Sequence, residues 1–190
     1  MPPITPRLLL RPWREADKAP FARMNANPEV RRYFPGLLTE AESNAAVDRY
    51  QADDSEHGYT FWAAELRSTG EFIGFVGLHP PNPAYNFPPG APELGWRLDQ
   101  PFWGRGYATE AALACRDFAF NELSAPAVGA VTTVTNEPSM NVMHKLGMKH
   151  VSNFMHPEID PVDPIAPHVL YMLDYKNYTK GLRQQSKSGT

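Results

Sequence analysis

Two glycines flank an arginine at the start of an alanine-rich segment. The stretch WGRGYATEA covers residues 103–111 and places Arg105 between Gly104 and Gly106. A helix that begins here exposes unpaired backbone N–H groups and the positive end of its dipole, and glycines without Cβ atoms let several amides approach one phosphate. These residues predict an anion site, although a plain strand-to-helix turn with a surface arginine fits them equally well.

Two common phosphate-binding motifs do not fit this turn. A Walker loop ends in Gly-Lys-Ser or Gly-Lys-Thr, and neither tripeptide occurs in the chain. The dinucleotide-binding motif needs a third Gly or Ala where Thr109 stands, and it lies early in a βαβ unit with a parallel sheet. We therefore expect a phosphate site of another kind.

The composition describes an ordinary single domain. The 190 residues carry a net charge of -3 and no concentrated basic patch, so a nucleic-acid partner is not expected. The apolar run at 72–78 is too short to span a membrane, which favours a cytoplasmic protein. Cys115 is the lone cysteine, which excludes an internal disulfide and a cysteine zinc cluster, and no metal is expected. We expect one domain over residues 1–180 and a polar, disordered tail over 181–190.

Hydrophobic periodicity and turn residues predict a mixed chain of the α/β (α+β) class, with one mixed sheet and helices on its faces. Strands are expected at 7–13, 59–66, 71–78, 91–99, 127–135, 148–155 and 168–175. Helices are expected at 14–27, 39–52, from the turn to about Asn121, and at 136–147. The second and third strands are joined by RSTG and should form a hairpin. The proline-rich segments 79–92 and 156–168 should be long loops.

The order of these motifs resembles the GNAT N-acetyltransferase superfamily, in its RimJ/RimL-like branch. ELGWRLDQPFWGRGYATEA (93–111) followed by TNEPSMNVMHKLGM (135–148) looks like the acetyl-CoA-binding core, and the similarity runs from about residue 7 to 175. Gly106 and Ala108 match the family's Gln/Arg-x-x-Gly-x-Gly/Ala turn, with Trp103 at the Gln/Arg position. The resemblance implies a mostly antiparallel central sheet of about seven strands, splayed between strands four and five, with helices on both faces.

The resemblance also implies that acetyl-CoA binds as a cosubstrate. Backbone amides from Arg105 to Thr109 would hold the pyrophosphate, and the strand at 93–98 would pair with the pantetheine arm and splay from the one at 128–134. Asn136 and Ser139 would contact that arm near the thiol, although capping of the following helix is a compatible role for Asn136. The implied CoA-binding residues are Leu94, Gly95, Trp96, Arg97, Leu98, Trp103, Gly104, Arg105, Gly106, Tyr107, Ala108, Thr109, Asn136 and Ser139.

Acetyl transfer to an amine needs a neutral amine, a stabilised oxyanion and a proton for the leaving thiolate. Glu93 is the predicted base, with an ion pair to Arg97 or another cation as the alternative role, and His79 is the second candidate base. A backbone N–H near residues 94–96 would stabilise the oxyanion. The tyrosine acid of the family is replaced by Met143, so either Ser139 supplies the proton or the thiolate leaves unprotonated.

Two further side chains of the helix predicted to follow the glycine turn favour structural roles. Cys115 lies on its apolar face, so we expect a buried thiol and not an acetyl carrier. Glu110 lies in the first turn, where a carboxylate suits the helix dipole.

Aromatic and basic residues are expected to line the acceptor pocket, namely Arg32, Tyr33, Phe34, Trp62 and His79. The predicted function is transfer of acetyl from acetyl-CoA to a primary amine, of a small molecule or a protein N-terminus, by direct attack through a tetrahedral intermediate. The protein would act as a monomer or homodimer. A non-catalytic acyl-CoA-binding sensor is the alternative, and a phosphate-ligand enzyme unrelated to CoA is a third class.

Overall fold

The structure is a computed structural model that describes residues 1–188, with only the backbone of 185–188. The strands are β1 (Leu8–Arg11), β2 (Phe61–Leu66), β3 (Phe72–His79), β4 (Glu93–Leu98), β5 (Ala127–Thr133), β6 (Lys149–Met155) and β7 (Pro167–Asp174). The helices are α1 (Lys18–Asn25), α2 (Pro28–Arg31), α3 (Glu40–His57), α4 (Tyr107–Asn121), α5 (Glu137–Lys145) and α6 (Tyr175–Ser188). No helix within residues 1–188 is long and apolar enough to cross a bilayer.

The seven strands form one mixed sheet in the order β1-β2-β3-β4-β5-β7-β6, with helices on both sides, which confirms the predicted fold class. The pairs β1–β2, β2–β3, β5–β7 and β6–β7 are antiparallel. β4 and β5 run parallel, and in the described chain their ladder consists of the residue pair Glu93 and Gly129. The predicted hairpin of β2 and β3 is therefore confirmed, and so is the mixed character of the sheet.

The chain divides into two compact units. The first comprises Met1–His79 and Leu94–Cys115. Its hydrophobic core is rich in aromatic side chains, and the ring centroids of Trp13 and Phe21 lie 4.8 Å apart. Rings of this size supply most of the buried apolar area of a small core, because each removes a large surface from water. This core supports α1, α3 and the adjoining strands.

The second unit comprises Pro80–Glu93 and the residues from Arg116 onward. Its strands β5 and β7 pair over seven residues, and most of their apolar side chains are buried. Phe120 stacks on Tyr178 of α6 with ring centroids 4.4 Å apart. The first residue of β4, Glu93, belongs to this unit.

Local capping signals set the beginnings of two helices as predicted. Thr39 caps α3, because its Oγ1 accepts from the Glu42 N–H at 3.2 Å while Glu42 Oε2 accepts from the Thr39 N–H at 2.8 Å. Asn136 caps α5, since its Oδ1 accepts from the Ser139 N–H at 3.2 Å. Reciprocal bonds of this type satisfy the donors that a helix start leaves unpaired.

Helix α6 was not predicted. It includes residues 181–188, where the sequence predicts a disordered tail; residues 189 and 190 lie outside the described residues. The signal for its beginning is Asp174, whose Oδ1 accepts from the Asn177 N–H at 2.7 Å, as an N-cap residue does. The helix is strongly polar, so its composition resembles that of a tail, and burial of Tyr178 is visible only in the folded chain.

Candidate active site

The glycine turn before α4 presents free backbone donors. Gly104 and Gly106 have φ angles of 72° and 79°, which side chains with a Cβ adopt only at a cost. The first amide of this segment to donate within the helix is that of Glu110, to Gly106 O at 3.0 Å. Within residues 1–188, the N–H groups from Gly104 to Thr109 have no acceptor, and the residues from Gly104 to Gly106 are exposed. The turn can therefore donate several hydrogen bonds to one anion.

Thr5 and Arg7, which lie near the N-terminus of the chain, form hydrogen bonds with residues at the start of α4. The Glu110 carboxylate accepts from Thr5 Oγ1 at 2.6 Å and from the Arg7 N–H at 2.9 Å, and Arg7 Nη1 donates to Arg105 O at 2.9 Å. Burial opposes the charge on Glu110, but these hydrogen bonds outweigh it and lower the pKa of its carboxyl. The first-turn role of Glu110 is as predicted; Arg7 was missed, because no local pattern links residues about a hundred positions apart.

The side chain of Arg105 is free to meet a ligand. It makes no ion pair with the described residues, and its guanidinium carbon lies 6.0 Å from the centroid of the Phe102 ring. Trp103 donates its Nε1–H to Leu98 O at 2.7 Å, so its ring ties the turn to the end of β4. The turn thus combines free amides, an unpaired cation and a fixed position relative to β4.

Glu93 has the properties of a base near neutral pH. Burial raises the pKa of its carboxyl to about 7, and it makes no ion pair with any described residue. The described residues therefore do not form the alternative ion pair with Arg97 or another cation, and Arg97 Nη1 donates to Asn25 Oδ1 at 2.6 Å. A carboxylate with this pKa is substantially ionised at neutral pH and still accepts a proton readily.

The proline-rich loop at 79–92 covers the position of Glu93 in the second unit. A Cβ on Gly129, the ladder partner of Glu93, would lie 2.6 Å from the Phe87 ring, so a larger residue at this position would require the ring to move. Burial raises the pKa of Tyr85, and the negative charge of Glu93 raises it further. The hydroxyl of Tyr85 lies 2.7 Å from Nε2 of His156, which belongs to the second proline-rich loop. The structure therefore brings both loops together beside Glu93.

Asn136 and Ser139 form a small polar network in the second unit. Asn136 Nδ2 donates to Thr132 Oγ1 at 2.9 Å and to Ser139 Oγ at 3.1 Å. Both side-chain amide hydrogens of Asn136 are thereby used, which leaves the side chain no donor for a ligand. Its capping role is confirmed by Oδ1, which accepts from the Ser139 N–H. The Ser139 oxygen accepts from Asn136, so its own O–H remains available as a donor. Met143, at the position of the family's tyrosine acid, is buried.

Two residues predicted for the acceptor pocket or for proton transfer have partners elsewhere in the first unit. Trp62 is completely buried and donates its Nε1–H to Asp54 Oδ1 at 3.1 Å, which makes it a core residue and not a pocket wall. His79 Nε2 lies 3.1 Å from Asp53 Oδ2, and its ring stacks on Phe61 with centroids 5.1 Å apart. His79 is therefore held by an acidic and an aromatic neighbour.

The other predicted acceptor residues do lie close to one another. The guanidinium carbon of Arg32 lies 4.8 Å from the centroid of the Tyr33 ring and 5.7 Å from that of Trp103. Phe34 is partly exposed, and the guanidinium of Arg97 lies 4.2 Å from the centroid of its ring.

Within residues 1–188, no group of three or more metal-ligating side chains could hold a metal ion.

The thiol of Cys115 is expected to be chemically silent in the folded protein. It is completely buried, and burial raises its pKa, so almost no thiolate forms at neutral pH. We expect no reaction with a disulfide reagent such as Ellman's reagent in the native state and one equivalent after unfolding. Rapid native labelling would contradict the buried assignment and reopen an acetyl-cysteine intermediate.

Comparison with known proteins gives consistent matches. The family model described as "Acetyltransferase (GNAT) domain" matches residues 7–149. The chain is 32% identical over 148 residues to the uncharacterized protein YkkB of Bacillus subtilis, covering 77% of this chain and 84% of that protein. It is 31% identical over 156 residues to the FsC-acetyl coenzyme A-N(2)-transacetylase of Aspergillus fumigatus, covering 79% of this chain and 66% of that one. A GNAT-family acetyltransferase structure from Bacillus anthracis has the same fold, with a TM-score of 0.77, 22% identity, and coverage of 93% of this chain and 99% of the other.

Proposed function

Because the chain belongs to the GNAT acetyltransferase family, we propose that it transfers the acetyl group of acetyl-CoA to the nitrogen of a primary amine. The observation that carries this proposal is the turn before α4, with free amides from Gly104 to Thr109 and the unpaired Arg105 beside them. Such a turn matches a pyrophosphate in both charge and hydrogen-bonding capacity. We also propose that the chain belongs to the RimJ/RimL-like branch of this family, and the sequence of this turn supports that assignment.

Acetyl-CoA would be held along β4 and at the turn. The backbone of Leu94–Leu98 would pair with the pantetheine arm, and the amides of Gly104–Thr109 would bind the pyrophosphate. Arg105 would add a charge-assisted contact, which is worth more than a neutral hydrogen bond. The hydrogen bonds from Arg7 to the Glu110 carboxylate and to Arg105 O would keep the turn in its binding conformation.

Glu93 would act as the general base. It would accept a proton from the incoming ammonium group, directly or through a water molecule, so that the neutral nitrogen attacks the thioester carbonyl. The new N–C bond forms, and collapse of the tetrahedral intermediate breaks the C–S bond. The departing thiolate would leave as such or take a proton through the Ser139 hydroxyl, whose hydrogen has no acceptor among the described residues. A thiol pKa of about 8.5 makes either route feasible near neutral pH.

A non-catalytic acyl-CoA sensor is the second candidate, because Met143 stands where the family has an acid. The two functions differ in turnover. We expect acetyl-CoA to raise the melting temperature and some primary amine from a panel of amino acids, peptide N-termini and aminoglycosides to release CoA thiol. Stabilisation by acetyl-CoA without thiol release from any amine would favour the sensor. Absence of acetyl-CoA binding at millimolar concentration would contradict both. Cytoplasmic location and a monomeric or homodimeric state stay predictions.

A further inference from the structure

Two arginines lie against the ring of Phe34 in the first unit. The guanidinium carbon of Arg97 is 4.2 Å from the Phe34 ring centroid, and that of Arg31 is 5.0 Å from it. Arg97 also lies 5.1 Å from the centroid of Phe75. We call Arg31, Phe34 and Arg97 the arginine cluster.

Neither arginine of the cluster forms an ion pair within residues 1–188, and the one carboxylate that acts on Arg31 there, that of Glu42, does so without a salt bridge. Arg97 Nη1 donates to the neutral Asn25 side chain, while its Nε is buried and has no acceptor. Arg31 donates only to backbone carbonyls, those of Gly36 at 2.8 Å and Pro35 at 3.3 Å. Burial, with a smaller contribution from the charge of Arg31, lowers the pKa of Arg97 to about 10. Cation–π contacts compensate only part of the cost of removing a guanidinium from water.

Arg11 shows how the same chain treats a buried arginine with a structural role. Its guanidinium pairs with Asp17 at 2.7 Å and with Glu65 at 2.6 Å, so two carboxylates neutralise it. Arg97 differs from Arg11 in having an uncommitted buried donor and a like charge nearby. Burying an unpaired guanidinium reduces the stability of the folded protein. Binding of an anion to Arg97 would offset that cost.

We propose that Arg97, with Arg31 and Phe34, binds a carboxylate carried by the acceptor, so that the acceptor amine is an amino acid or a related amino carboxylate. This inference rests on the proposed function and specifies its substrate class. A guanidinium fork matches the two oxygens of a carboxylate, and the half-open Phe34 ring lies beside it to pack against the aliphatic part of the substrate. A phosphate of acetyl-CoA offers similar anionic oxygens, and the experiment below separates the two sources.

The test compares each L-amino acid that has a primary amine with its own amide as acceptor, because the pair differs chiefly in the negative charge of the carboxylate. Rates are compared per concentration of neutral amine, since amidation also lowers the pKa of the α-ammonium group. For the acids that are acetylated, we expect kcat/KM at least about tenfold higher than for the amide, mainly through KM. Arg97→Gln should reduce that ratio to about one, and Arg97→Lys should keep part of it, since lysine retains the charge and loses the fork. Arg23→Gln, which removes an exposed arginine of α1, is the matched control and should leave the ratio unchanged.

Calorimetry with acetyl-CoA identifies the source of the anion. If Arg97 binds the acceptor, Arg97→Gln changes the acetyl-CoA Kd by less than about twofold. A large rise in that Kd with an unchanged acid-to-amide ratio overturns the inference in favour of a CoA phosphate. Equal use of acids and amides by the wild type also overturns it, while the proposed function survives.

A binding measurement keeps the inference testable when no panel member is acetylated. N-Acetylglycine and its neutral amide are titrated onto the protein with and without CoA, followed by NMR. We expect N-acetylglycine to bind at least about tenfold more tightly than its neutral amide. Arg97→Gln should abolish this difference in affinity. Arg97→Lys should retain the melting temperature of the wild type. Absence of binding by the acid overturns the inference even if acetyl-CoA binds. Failure of acetyl-CoA to bind while the acid still binds contradicts the proposed function and leaves only the carboxylate site at Arg97.

Discussion

Replacing Glu93 with glutamine is expected to lower kcat/KM for the acceptor amine by about 100-fold or more, because a positioned general base contributes about 10²–10⁴ in rate. Wild-type kcat/KM should rise with pH through about 7, where the buried Glu93 carboxyl loses its proton and becomes able to accept one. Glu93→Gln should lose this rise, since an amide does not titrate. The measurement is the pH dependence of CoA thiol release for both proteins, with the acetyl-CoA Kd recorded alongside.

Glu71→Gln is the matched control, because Glu71 is an exposed glutamate next to β3. It should change neither the rate nor the pH profile. Equal rates for Glu93→Gln and wild type at every pH, with acetyl-CoA binding intact, would remove Glu93 from the base role.

The same residue gives a stability test that needs no substrate. The pKa of Glu93 is raised in the folded state above its ordinary value of 4.5, so its protonated form favours folding. That contribution is fully present below about pH 4.5 and is lost as pH rises through about 7. The melting temperature of the wild type should therefore fall relative to that of Glu93→Gln between pH 5 and pH 8. A constant difference across this range would contradict the burial of the carboxyl.

Replacing Gly106 with alanine is expected to weaken acetyl-CoA binding by about tenfold to 100-fold. Its φ of 79° disfavours alanine, so the turn must shift, and at least one amide contact with the pyrophosphate would be lost. A hydrogen bond to a charged group is worth about 1.5–3 kcal/mol, which corresponds to this range of Kd. Gly104→Ala, with φ of 72° and no atom within 4 Å of the added Cβ, tests the same turn without a steric contact.

Gly58→Ala is the control that separates stability from binding. Gly58 ends α3 with φ of 75° and also has nothing within 4 Å of an added Cβ. All three substitutions should cost about 1–2 kcal/mol of the free energy of unfolding, because the backbone strain is alike. Only the two at the turn should raise the acetyl-CoA Kd in calorimetry. An unchanged Kd for both Gly104→Ala and Gly106→Ala would exclude the turn as the pyrophosphate site.

Much of the fold could be predicted because its signals are local. Helix α4 and strand β4 lie where periodicity predicts them, although β4 is shorter than the predicted 91–99, and the capping residues Thr39 and Asn136 begin their helices as expected. A helix or strand pattern needs only neighbours within a few positions, so short stretches contain the necessary information. The polar α6 is the exception, since the burial of Tyr178 that anchors it depends on Phe120, far away in the sequence.

The sequence by itself determined the element types, the glycine turn and the resemblance to an acetyltransferase family, because each depends on residue types at fixed spacing. Only the tertiary structure decided which charges are neutralised. Glu93 and Arg97 are two strand residues on the same face, yet packing leaves the first with a raised pKa and the second without a counter-charge. Burial and ion pairing are set by residues distant along the chain, as the contact of Arg7 with Glu110 shows, and no local pattern encodes them.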